Sequence, residues 1–375
     1  MRRNLQIVLF SVVLIGLGSC QKPDIDIFYN KKYVNEIKKA RKETALYMAR
    51  NFVPGTSVAV CKNGELIYSE GIGLASKDLE VRADRSTKFR IGTMSAIYTN
   101  LIYQRMIEEG ILHPDSSVQH YYPDFPEKSH KITLNNLAQE TSGLRAPTSK
   151  EQNWRALNVS LAKGIEQFKD DPLASPPDLY QQPSQFNYSL LGVVMEKASK
   201  KHFSQLLKEY LTDTLHLENT MIENPFATVK GRTNYFDHNF ISQVINAPFI
   251  DLRHKAPAEG LLSNAEDLAK LGNAVLHSDY FGGAINERLF KPENLYNDIK
   301  SRMANGWMLL QDRKGRTLYG KEGTVTGGSA AILIYPNEDL VVAYTSNLST
   351  SIDDSPIFDL AGIFLPPTEE TEKDK

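Results

Sequence analysis

The sequence predicts an α+β fold: one antiparallel sheet built from both chain ends, flanked by helices, with a helical insertion over about residues 93–300. Three observations predict it. Strand-like apolar runs cluster near both ends of the chain, helical periodicity dominates the middle, and the composition is that of an ordinary globular protein. The chain has 375 residues, of which 41% are hydrophobic and 23% charged. That length suits two to three domains of roughly 150 residues, or one large domain with an insertion.

Taken in order, residues 31–51 read as a helix, with Val34, Ile37, Ala40, Ala45 and Met48 at helical spacing. Pro54-Gly55 ends it. Ser57–Cys61 and Leu66–Tyr68 are apolar runs on either side of Asn63-Gly64, a strong hairpin signal. Gly71-Ile72-Gly73 resembles half a dinucleotide fingerprint, but no helix start follows, so it reads as a strand end. In the middle, Met94, Ile97, Leu101, Ile102, Met106 and Ile107 line one helical face. Pro172, Pro176, Pro177 and Pro183 mark residues 171–184 as a rigid loop. Helices are expected from Leu190 and over Glu266–Leu276, the latter begun by Ser263-Asn264. Strand character returns at Trp307–Leu310, Ala331–Tyr335 and Leu340–Tyr344, with a turn over Pro336–Asp339. Ile357–Phe364 suits a closing helix.

The first twenty residues read as an address. Arg2 and Arg3 precede an apolar run, Leu5–Leu17, which is shorter than the roughly 20 residues a spanning helix needs. The run ends in Leu17-Gly18-Ser19-Cys20, which resembles a bacterial lipobox. The resemblance implies cleavage before Cys20 and lipid attachment to its thiol, hence a protein exported to the periplasmic or cell-surface face of the envelope. The expected organisation is a signal peptide at 1–20, a tether at 21–30, one domain at 31–365 and a charged tail at 366–375.

Lys and Arg total 43 against 45 Asp and Glu. Without a basic surplus, a nucleic-acid partner is not expected. Cys20 and Cys61 are the only cysteines, so acylation of Cys20 would leave no internal disulfide. CxxC is absent and no two histidines are spaced i, i+4, so no metal is expected. An exported location also implies no nucleotide cofactor.

Several segments occur in an order that resembles the serine β-lactamase and penicillin-binding-protein superfamily. They are Pro54-Gly55, Phe89–Gly92, Ser117–Tyr121 with Pro123–Pro126, and Ile132–Leu134 with Thr141–Leu144. Then come Ala258–Leu261 with Asp267-Leu268, Gly320–Gly328 and Thr345–Asn347. The resemblance is strongest to the class C-like branch, which takes in mitochondrial serine β-lactamase-like proteins. It spans about residues 40–350 and implies the fold by analogy.

The same alignment implies a damaged active site. The family's Ser-x-x-Lys places nucleophile and base on one helical face, where the helix N-terminus favours developing negative charge. Here those positions are Thr93 and Ala96, and Ala96 has no proton to exchange. The tyrosine of the family's Tyr-x-Asn falls on Pro183, with Ser184 and Gln185 after it; Tyr180 would need a three-residue insertion. The third motif, Lys-Thr-Gly on an edge strand, reads Lys321-Glu322-Gly323, followed by Thr324. Lys321 suits an anion contact, although Lys321 and Glu322 equally suit an exposed strand pair. Glu140 stands where relatives often carry histidine, and Ser142 belongs to a structural turn. Ser95 should face away from the cleft, and Ser160-Leu161-Ala162-Lys163 is a chance match to Ser-x-x-Lys.

The leading expectation is a lipid-anchored pseudoenzyme that has lost acyl-enzyme chemistry. It would hold a peptide or peptidoglycan-like ligand in a cleft formed by Thr93, Lys321, Glu322, Gly323 and Thr324. The alternatives are a hydrolase using Thr93, with Lys321 as base across the cleft, and a structural, self-assembling envelope protein.

Overall fold

The computed structural model describes residues 26–152, 160–296, 299–349 and 355–366. The expected leader, Cys20 and the tail beyond Pro366 lie outside the described residues.

In chain order the strands are β1 (Ile27–Tyr29), β2 (Gly55–Lys62), β3 (Glu65–Ser76), β4 (Val81–Arg82), β5 (Phe89–Arg90), β6 (Met221–Ile222) and β7 (Phe236–His238). They continue with β8 (Val244–Asn246), β9 (Leu261–Ser263), β10 (Met303–Ala304), β11 (Trp307–Gln311), β12 (Thr317–Val325), β13 (Gly328–Tyr335) and β14 (Leu340–Ser346). The main sheet runs β1-β3-β2-β14-β13-β12-β11-β10, with β4 paired to β3. Every pairing in it is antiparallel. The sheet is thus joined at its centre by β2 and β14, from opposite ends of the chain, with Thr56 opposite Ser346 and Lys62 opposite Leu340.

Side-chain alternation divides the strands between two cores. Val58, Val60, Leu333, Val342 and Tyr344 pack with Ile37, Ala40 and Tyr47 of the helix Val34–Arg50 and with Leu360 and Phe364 of the helix Ile357–Phe364. Ala59, Cys61, Ile332, Ile334, Val341 and Ala343 pack on the other face. There they meet the helix Ala265–His277 and the larger helical region, which includes Ser95–Glu108 and Gln185–Ser199. Asn264 caps the helix Ala265–His277 by accepting from the Asp267 N–H at 2.8 Å. Among the described residues no helix is long and apolar enough to cross a membrane.

The hairpin expected at Asn63-Gly64 forms, with φ of 51° and 79° at its two turn residues, the left-handed pair a tight two-residue turn needs. Several boundaries differ from expectation. The helix expected from Leu190 begins five residues earlier, at Gln185, capped by Ser184, which accepts from the Phe186 N–H. Residues 27–29, placed in the tether, are strand β1, which gives the backbone of β3 at Tyr68–Glu70 a partner. Residues 31–33 form a 3₁₀ turn, and the helix proper begins at Val34. Gly71-Ile72-Gly73 lies inside β3, which runs on to Ser76; Gly71 is needed there because a Cβ would stand 2.4 Å from the Asp84 carbonyl.

Candidate functional site

Two glycines fix where the site lies. Gly92 has φ +53°, and a Cβ on it would stand 2.4 Å from the Thr324 carbonyl oxygen. A Cβ on Gly323 would stand 2.4 Å from both the Ile91 carbonyl oxygen and the Met94 nitrogen. The 3₁₀ turn Gly92–Met94 and strand β12 therefore meet backbone to backbone. This contact sets Thr93 beside Glu322, whose carbonyl accepts from Thr93 Oγ1 at 3.3 Å. The helix starts two residues later, at Ser95, and Ala96 comes three residues after Thr93.

Thr93 and Ala96 both line a cavity of about 200 Å³. Its wall also includes Glu140, Pro147, Pro183, Ser184, Gln185, Tyr188, Ala258 and Lys321. The motif positions Thr93, Ala96, Pro183 and Gln185 thus come together in one place. Of the expected ligand cleft, Thr93 and Lys321 are in this wall; Glu322, Gly323 and Thr324 are not. Strand alternation is the reason. Lys321 lies opposite Ile332, which faces the helical core, whereas Glu322 lies opposite Ala331, which faces the terminal helices. Gly323 has no side chain and is taken up by the contact with the 3₁₀ turn. β12 is an edge strand only in part: Thr317–Gly320 pair with β11, and from Lys321 onward no strand among the described residues pairs on that side.

Lys321 is not exposed, contrary to the strand-pair reading; only 8% of it is accessible. Burial lowers the pKa of its amine, and the nearby charge of Glu140 opposes that shift. Glu140 is buried too, in the left-handed region at φ +58°, and accepts from the Ser184 N–H at 3.0 Å through Oε1. Its Oε2 is buried with no hydrogen-bond partner among the described residues. Burial raises the Glu140 pKa, with Lys321 and the Ser184 N–H pulling it back. Glu140 is the principal residue not expected as part of the site. The signal in the sequence was a lone carboxylate between the apolar Leu137-Ala138 and a Thr-Ser-Gly turn.

The other polar groups are already engaged. Gln185 Nε2 donates to Glu259 Oε2 at 2.6 Å, and Glu259 is ion-paired with Lys255. The Tyr188 hydroxyl donates to the Ala138 carbonyl and accepts from Asn100 Nδ2, both at 3.3 Å. Burial first, and Glu140 second, push its pKa well above the usual phenol value, so it stays protonated. Tyr180 is exposed and is not in the cavity wall. Ser95 is fully buried, donating to the Gly92 carbonyl and accepting from the Leu261 N–H, which is a structural role. Ser142 holds its turn through Asn187 and the Leu144 N–H. Ser160 caps a short helix by accepting from the Lys163 N–H, and Lys163 pairs with Glu166 at the surface.

The arrangement offers a cavity with the Thr93 hydroxyl, one buried amine and one buried carboxyl, the Ser184 and Tyr188 hydroxyls donating instead to the Arg145 and Ala138 carbonyls. The acceptor for the Thr93 hydroxyl is a peptide carbonyl, which cannot take its proton.

Comparison with known proteins agrees with this architecture. The mitochondrial serine beta-lactamase-like protein LACTB of Homo sapiens is 24% identical over 379 residues, covering 76% of this chain and 69% of LACTB. Protein flp of Staphylococcus aureus is 23% identical over 312 residues. That match covers 81% of this chain but 61% of flp, so the chain spans less than two thirds of flp's length. Among solved structures, FmtA from Staphylococcus aureus superposes with a TM-score of 0.74 at 21% identity, over 91% of this chain and 90% of FmtA. A class C beta-lactamase gives 0.74 at 18% identity, over 91% and 99% of the two chains. At these identities the superpositions speak for the fold. The family model for beta-lactamase matches residues 41–358, and by that match the chain belongs to the beta-lactamase family.

Proposed function

We propose that this is a lipid-anchored, non-acylating member of the family that binds a peptide or peptidoglycan-like ligand reversibly in the Thr93–Lys321 cavity. One observation carries the reading: Thr93 and Ala96 stand together in the cavity wall where the family's chemistry needs a nucleophile and its base, and Ala96 supplies no base. Pro183, in the same cavity wall, stands where the second proton-transfer group would be needed. The cavity itself remains open enough for part of a ligand, and Lys321 supports binding of a ligand carboxylate. In a serine-protease triad on an unrelated fold, removing the nucleophile or the base alone costs on the order of a million-fold in rate.

A second reading has one observation in its favour. Lys321 shares the cavity with Thr93, and burial lowers its amine pKa toward that of a usable base. It would require Lys321 Nζ to come within roughly 2.6–3.2 Å of Thr93 Oγ1, directly or through one water.

Intact-mass spectrometry of residues 21–375 after incubation with a fluorophosphonate, and separately with a penicillin, decides between the two. No adduct on folded protein is expected. An adduct that disappears in Thr93→Ala would replace the proposal with a threonine-dependent acyl enzyme.

A further inference from the structure

The hairpin β7–β8 carries an apolar tip. Phe240 is 97% exposed and Ile241 57%, at the turn itself. Ile245 and Phe249 on the returning strand side are also exposed, and the Phe249 ring lies 5.8 Å from that of Phe226. The turn is pinned: Asn239 Oδ1 accepts from the Ile241 and Gln243 N–H groups at 3.0 and 2.9 Å. Scattered exposed apolar residues are ordinary, but two adjacent ones at the tip of a fixed projection are not.

The projection has a direction. Phe236 bridges in parallel to Leu348, just past the end of β14, and the Asn234 N–H donates to the Ala75 carbonyl near the end of β3. β7 therefore continues beyond the end of the main sheet at which β3 and β14 finish. Leu79 and Phe52, both exposed, belong to the connections at this same end. β1 runs antiparallel to β3, with Ile27 opposite Glu70, so the chain preceding Ile27 also heads toward this end.

Chain lengths limit how far apart the tip and the anchor can stand. Extending the register places Asp26 level with Gly71. From there three residues of β3 lead to the level of Phe236 and four more along the hairpin to Phe240, about 23 Å at 3.3 Å per residue. The six Cα-to-Cα steps from Asp26 back to Cys20 span at most about 22 Å. A tether this short does not hold the tip clear of the surface in which Cys20 is anchored.

We propose that the Phe240-Ile241 tip docks into the lipid surface that holds the N-terminus, fixing how the domain stands on the membrane. The inference rests on the lipid-anchor reading of Cys20. Amphipathic and apolar surface groups of this kind enter the headgroup boundary and add to the hold of an acyl anchor.

The test uses the full chain, extracted from membranes and reconstituted in phosphatidylcholine vesicles with brominated acyl chains. Phe240→Trp is compared with the native chain, which supplies the background of Trp154 and Trp307, and with Asn337→Trp in the turn at the opposite end of the sheet. Quenching of the added fluorescence is expected in Phe240→Trp but not in Asn337→Trp. Intact mass of the same preparation reads acylation at Cys20. An acylated Phe240→Trp chain whose added fluorescence is unquenched overturns the docking and leaves the anchor standing. A chain without the acyl mass overturns the anchor and the docking with it. Self-association that Phe240→Ser abolishes would assign the tip to a second copy instead.

Discussion

Glu140 and Lys321 share one cavity wall, each almost wholly buried, without approaching to the 4.0 Å of an ion pair. Each therefore keeps much of its desolvation cost. Because the Glu140 pKa is raised, the native state holds that proton more tightly than the unfolded chain does. Stability contributed by protonation is present at low pH and is lost as pH rises through the raised value. Glu140→Gln should flatten the fall in Tm as pH rises above the ordinary carboxyl range. Parallel Tm–pH profiles for the two proteins would refute this.

Gly323→Ala should destabilise by at least about 1–3 kcal/mol, because its Cβ meets backbone on two sides and neither can rotate away. Gly362→Ala is the control. It sits in the helix Ile357–Phe364, nothing lies within 4 Å of its Cβ, and it should stabilise by about 0.5–1 kcal/mol. Urea unfolding of both variants checks the pair.

Arg90 and Glu223 form a buried ion pair with hydrogen bonds of 2.7 and 2.8 Å, and the guanidinium lies 3.7 Å from the Tyr235 ring centroid. Arg90→Met leaves the fully buried Glu223 uncompensated and should cost about 3–5 kcal/mol. Replacing both, as Arg90→Met with Glu223→Leu, should recover part of that loss in the same unfolding measurement.

Thr93→Ser alone should give no fluorophosphonate adduct, since Ala96 still supplies no base. Thr93→Ser combined with Ala96→Lys rebuilds the pair on one helical face and should give a measurable adduct by intact mass. If Thr93→Ser alone reacts, an existing group such as Lys321 is acting as base.

Most of the architecture was legible because strands and helices announce themselves by period and by turn chemistry. Asn63-Gly64 and Asn264 are instances where one or two residues set an element boundary. That Thr93, Ala96 and Lys321 would share one site was legible from the order and spacing of the family-like segments. What was not legible came from pairing across long separations. That residues 27–29 would join β3 depends on an edge about 40 residues away. That Lys321 would be buried while Glu322 turned to the other face depends on the register with β13. Glu140 belongs to the site only because the loop ending at Ser184 returns over it.

The seam between β2 and β14 has a consequence for the order of events during synthesis. Val60 lies opposite Val342, so the middle of the sheet cannot zip until nearly the whole chain has left the ribosome. Contacts so distant in sequence slow folding, because loop closure comes before any gain from pairing. Until then the β2–β3 hairpin has an unclosed flank, a surface that a chaperone or a second nascent chain is able to occupy.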